Sequence, residues 1–144
     1  MFIQIRYIIL FGVLVIVQFG YSQTVKLGVT INNLKEATGA IVVSIFNQEN
    51  DFPVDGKEFR KMSFAVKALS VTCTINDLKR GDYAIAIFHD QNNDGICNLG
   101  FLGIPKEGFG FSKNFVPRLK APAFDDCKIE LFEDRAITID LIFR

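Results

Sequence analysis

The sequence predicts an all-β protein, a single antiparallel two-sheet sandwich of about seven strands, immunoglobulin-like or prealbumin-like, with one long functional loop. Three observations carry this. Apolar residues recur at period two in seven short runs, helical periodicity is absent beyond the N-terminal segment, and turn-forming residues separate the runs. The composition agrees: 144 residues, 49% hydrophobic and 22% charged, suffice for one domain with a substantial core.

The first 22 residues stand apart. Arg6 provides a positive start, Ile8 to Val17 an apolar stretch, and Gly20 and Ser22 small residues before a cut. This reads as a secretory signal peptide over residues 1–22, followed by a β-sandwich domain over 23–144. An uncleaved anchor is the rival reading. Gly12, Gln18, Gly20, Ser22 and Gln23 dilute the ~20 apolar residues that a membrane span needs, so no span is expected after signal cleavage. No cysteine lies near the cut to carry a lipid.

The strands follow in order. Val25, Leu27, Val29 and Ile31 share one face of the first, and Ile41, Val43 and Ile45 one face of the second. Met62, Phe64 and Val66 mark a third, and Val71, Cys73 and Ile75 a fourth. Tyr83, Ile85 and Ile87 mark a fifth, Ile129 and Leu131 a sixth, and Ile137, Ile139, Leu141 and Phe143 the last. "NLKEATG" (33–39) and "EDR" (133–135) read as short hairpin-like links, and "DGKEFRK" (55–61) has room for a short helix. Residues 47–61 and 90–124 are too long for hairpins, and long loops on a rigid scaffold are where function concentrates. Leu78, Gly81 and Tyr83 form L-x-x-G-x-Y, in which the tyrosine hydroxyl bonds back to the upstream backbone.

Charge excludes one class of partner. Sixteen basic residues balance sixteen acidic ones without a long basic run, so nucleic acid is not expected. Export would place Cys73, Cys97 and Cys127 in an oxidising compartment, where an odd count leaves one thiol over. Burial as small hydrophobes is an equal reading for Cys73 and Cys127, which alternate with core residues.

The segment from His89 to Asn114 carries the chemistry. Asp90, Asn92, Asp94, Gly95 and Asn98 occupy positions 1, 3, 5, 6 and 9 of an acidic loop, and the Ile96 carbonyl fits position 7. Alternate oxygens at this spacing suit calcium, with Asp90, Asn92, Asp94, Ile96 and Asn98 as ligands. Position 12 is Phe101, so Glu107 is the nearest source of the missing carboxylate, and affinity falls in the weak range of about 10⁻⁴ to 10⁻³ M. A self-capped Asx turn uses the same residues. In Phe101 to Asn114, Phe101, Phe109 and Phe111 either fold back on the sheets or line a ligand groove, with Lys106, Glu107, Ser112 and Asn114 as its polar contacts.

A catalytic reading is weaker. One histidine excludes a multi-histidine metal site, and neither a G-x-S-x-G elbow nor a phosphate loop is present. His89, Asp90 and Glu107 are the acid/base candidates, against a satisfied histidine at a strand end.

"YAIAIFHDQNNDGICNLGFLGIPKEGFGFSKN" resembles the signature of a secreted bacterial family, domain of unknown function 2141. The resemblance spans nearly the whole chain after residue 22 and extends to "APAFDDC" (121–127). It implies that His89, Asp90, Asn92, Asp94, Gly95, Gly103, Pro105, Glu107, Gly108, Gly110 and Ser112 are signature positions. It also implies a sandwich exported from Gram-negative bacteria, with no assigned activity. Two departures stand out: Asn98 replaces a common aspartate, and Lys113-Asn114 follows Ser112 where an asparagine usually comes directly.

The function expected is that of an exported, non-catalytic binding or accessory module of the bacterial envelope with a weak structural calcium loop. Its partner would be an envelope protein or a small ligand, and its place the periplasm, the medium or the cell surface. The alternative is a small envelope enzyme of hydrolase or lyase type using His89, Asp90 and Glu107.

Overall fold

The computed structural model describes residues 23–144, and the expected signal segment, residues 1–22, lies outside the described residues. The chain is mostly strand and forms two sheets. In chain order the elements are β1 (Thr24–Asn32), β2 (Ala40–Phe46), β3 (Arg60–Ala65), β4 (Val71–Lys79), β5 (Gly81–Asp90), β6 (Phe109–Phe111), α1 (Phe124–Cys127), β7 (Ile129–Leu131) and β8 (Arg135–Asp140).

The seven expected runs all become strands, and β6 is an eighth inside the long loop. One sheet runs β4-β1-β8 and the other β3-β2-β5-β6, with β7 also paired to β5. Alternation places Leu27, Val29 and Ile31 of β1, Ile75 of β4 and Ile139 of β8 in one cluster with Ile41, Val43 and Ile45 of β2 and Ile85 and Ile87 of β5. The two sheets therefore share one core, to which each fully buried Leu or Ile contributes roughly 1.5–3 kcal/mol.

Three expectations need correction. The pairing is not wholly antiparallel, because β8 lies parallel to β1, from Leu27 opposite Arg135 to Asn32 opposite Asp140. Residues 33–39 and 133–135 are not hairpins: each carries the chain from one sheet to the other, since β1 and β8 belong to the first sheet and β2 and β7 to the second. Period-two alternation fixes which side chains point inward and is silent on which sheet a strand joins. Residues 55–61 form turns and the start of β3 rather than a helix; the short helix is α1, where the Asp126 carboxylate accepts a hydrogen bond from the Ala123 N–H at 2.9 Å.

The L-x-x-G-x-Y expectation holds. Tyr83 donates its hydroxyl to the Lys79 carbonyl at 2.8 Å, and Leu78 is fully buried, pinning the crossing from β4 to β5. Among the described residues no helix is long and apolar enough to cross a membrane.

Candidate functional site

β2 and β5 bury both faces, because their apolar runs are continuous rather than alternating. Outward-facing Phe46, Ala84, Phe52, Phe124 and Cys127 form one further cluster, and Val42, Phe88 and Phe109 another. Edge-to-face rings join the first cluster, Phe46 to Phe52 at 5.2 Å and Phe52 to Phe111 at 6.1 Å.

Between these clusters Ser44 and Ala86 stand opposite each other in register, and both are small. The space they leave is an open cleft of about 620 Å³. Phe46, Phe88, Phe109 and Phe111 flank the floor, and Cys97 borders it from the long loop. Residues 98–106 rise above it as a small hairpin, with the Lys106 N–H bonded to the Asn98 carbonyl at 2.8 Å and the Gly100 N–H to the Ile104 carbonyl at 2.7 Å. Leu102 is 81% exposed at its tip and Phe101 88%. Folding back is thus correct for Phe109 and Phe111 and wrong for Phe101, which a Gly-Phe-Leu-Gly tip holds away from the sheet. Residues 117–122 form a second wall, along which Leu119 is fully exposed.

The polar residues expected to contact a ligand do not line this cleft. Ser112 is fully buried: its hydroxyl accepts from the Ile85 N–H at 2.9 Å and donates to the Cys127 carbonyl at 2.5 Å, clamping the end of β6 to β5 and α1. Asn114 accepts from the Asp140 N–H at 2.8 Å and supports β8. Lys106 lays its alkyl stem over Gly100. The cleft's polar groups are instead Ser44, Asp55, Glu58, Arg118, Lys120 and Arg144.

The acidic loop closes on itself. Asp90, nearly buried, accepts from the Asp94 N–H at 3.1 Å and the Gly95 N–H at 2.8 Å. Asp94 accepts from the Ile96 N–H at 2.8 Å and from the side-chain amides of Asn92 and Asn98 at 2.7 and 2.9 Å. These bonds, led by that from Asn98, hold the exposed Asp94 carboxyl below the ordinary carboxylate range. The Ile96 carbonyl accepts from the Asn98 amide at 3.2 Å. Gly95 has φ +75°, which the turn requires. Glu107 does reach this loop, as its spacing suggested, but its oxygens accept from the Gln91 and Asn98 N–H groups at 3.3 and 3.0 Å. Among the described residues no three His, Cys, Asp or Glu side chains converge as metal ligands.

His89 lies apart from both. It shares a strand face with Tyr83, Ile85 and Ile87, is fully buried, and places Nε2 2.7 Å from the Thr38 carbonyl. A carbonyl only accepts, so Nε2 donates, while Nδ1 is buried and has no partner among the described residues. None of His89, Asp90 and Glu107 lines the cleft.

The remaining signature residues shape the backbone. Pro105 pairs with Leu99 at the hairpin base, next to Gly103 in the tip. Gly108 gives its carbonyl to the His89 N–H at 2.7 Å, and a β-carbon there would stand 2.7 Å from the Phe143 ring. A β-carbon on Gly110 would likewise stand 2.8 Å from Ile139. No two of the three cysteines are bonded; burial pushes the Cys73 and Cys97 thiols up to about 11 and Cys127 to about 12, so all stay protonated and unreactive near neutrality.

Of the groove expected along the long loop, Phe109 and Phe111 are in place, whereas its floor at Ser44 and Ala86 was not foreseen although it left a signal. "AIVVSIF" and "YAIAIF" are apolar at successive positions, which marks strands covered on both faces, and Ser44 and Ala86 are small residues that face each other across the pair. Comparison with protein families matches residues 29–140 to one described as an uncharacterized protein conserved in bacteria (DUF2141). No curated protein and no solved structure gives a match.

Proposed function

The chain belongs to this family of uncharacterized bacterial proteins, DUF2141, and from that premise we propose that it is an exported, non-catalytic binding module of the bacterial envelope. Its two sheets are read as an immunoglobulin-like or prealbumin-like sandwich, and its ligand as a small, largely apolar molecule held in the outer cleft. The observation that carries this is the cleft itself: an open space of about 620 Å³, walled by phenylalanines and rimmed by exposed Leu99, Leu102 and Leu119. Ligand sites combine a mostly apolar lining with a few polar groups, and exposed apolar rims mark interaction surfaces. The non-catalytic reading is supported by the employment of Asp90 and Glu107 on backbone N–H groups and of His89 on a carbonyl.

A neutral naphthylamine dye that fluoresces in apolar surroundings tests the cleft. Saturable binding at one site per chain is expected, weakened at least tenfold by Ala86→Trp, which fills the floor, and by Leu102→Asp at the rim, with melting temperatures checked in parallel. Unsaturable binding, or binding that ignores both substitutions, removes the proposal.

For the acidic loop we propose a self-capped turn. Calcium would have to displace the Asn92 and Asn98 amides from Asp94, and the favouring observation is that these donors already satisfy it. Titration with calcium into the millimolar range is expected to leave the melting temperature unchanged. A rise that Asp90→Ala with Asp94→Ala abolishes would restore the weak calcium site, because a ligand specific to the folded state must stabilise it.

A further inference from the structure

The formal charge of the whole chain is zero, and this balance conceals an imbalance at the cleft mouth. On one side Asp55 and Glu58 are engaged by Lys61, at 2.6 and 3.6 Å, and Glu58 also accepts from Ser44 at 3.4 Å. On the other side, along residues 117–122 and the C-terminus, stand Arg118, Lys120 and Arg144. None of these three forms an ion pair among the described residues. Arg144 donates to the carbonyls of Pro117 and Arg118, so it fixes this wall in place. Arg118 and Lys120 are left exposed, lining the same cleft whose floor is Ala86 between Phe88 and Phe111.

An apolar trough with two acids held by one lysine at one side and unpaired cations at the other fits an elongated molecule with an apolar tail and an acidic head. We propose that the cleft binds a free single-chain amphiphile bearing an anionic headgroup, of the fatty-acid class, with the tail over Ala86 and the head on Arg118 and Lys120. This rests on the cleft being a ligand site. The guanidinium offers paired donors to a carboxylate and the ammonium a mobile charge, so Arg118 orients the head and Lys120 strengthens its hold.

The test is displacement of the bound naphthylamine dye from the purified protein by dodecanoate, dodecanol and dodecyltrimethylammonium. Dodecanoate is expected to compete at about tenfold lower concentration than dodecanol, equivalent to about 1.4 kcal/mol, with the cationic compound weakest. The preference should shrink in high salt. Arg118→Gln with Lys120→Gln, both at exposed positions, should abolish it and leave dodecanol unchanged. Equal competition by acid and alcohol, or preference for the cation, overturns the headgroup assignment and leaves the cleft intact as an apolar site. Failure of all three compounds overturns the cleft as well. Sedimentation with anionic vesicles that dodecanoate does not reverse would assign the surface to a bilayer and overturn the free amphiphile.

Discussion

Gly39→Ala is expected to cost about 3 kcal/mol or more and to lower the melting temperature by about 10 °C or more. Two effects combine. Gly39 has φ +73°, a left-handed conformation that costs an L-residue roughly 1–2 kcal/mol. A β-carbon there would also lie 2.2 Å from the Asp90 carbonyl oxygen and 2.8 Å from the Gln91 Cα. Those obstacles are backbone, so relief requires moving the link 33–39 away from the end of β5, and overpacking of this kind costs roughly a further 1–3 kcal/mol. Gly56→Ala is the control: its φ is +81° and nothing lies within 4 Å of an added β-carbon. It should lose only the conformational part, about 1 kcal/mol. Equal losses at the two sites, measured by denaturant unfolding, would mean that the backbones do not meet at Gly39.

The contrast between these glycines shows what the sequence makes legible and what it does not. Because period-two burial is a local property, alternation declared the one-sided strand β1 nearly to the residue and β4 as far as Ile75, beyond which Asp77, at φ +58°, breaks the period before the strand ends at Lys79. The crossing of 33–39 between sheets was not local, nor was β6, three residues of Phe-Gly-Phe whose partner Ile87 lies far upstream. The acidic spacing marks a tight loop in which Asp90 and Asp94 each gather several donors. It could not say whether a cation or backbone N–H groups would meet their oxygens, since both satisfy the same lone pairs. The cleft depends on residues 44–46, 53–58, 96–105 and 117–122 arriving together, a juxtaposition that no single stretch encodes.

His89→Ala should destabilise the protein by about 3 kcal/mol, the range for deleting a large buried side chain. The ring fills the end of the inter-sheet core opposite Ile41, and its removal also strips the Thr38 carbonyl of its donor. His89→Gln can return an amide N–H toward that carbonyl and should recover part of the loss, which a cavity effect alone would not predict. A catalytic histidine gives the opposite pattern, an unchanged melting temperature with turnover abolished, so an Ala variant as stable as the parent would reopen the acid/base reading. Thr38 immediately precedes Gly39, so the histidine bond and the glycine contact fasten the same link to the same strand end. Residues that share a partner couple by roughly 0.5–3 kcal/mol. Once Gly39→Ala has pushed the link off β5, the bond from His89 to Thr38 is already weakened. Combined with His89→Ala it should therefore cost less than the separate losses together. Full additivity would mean that the two contacts act independently and that the link is held elsewhere.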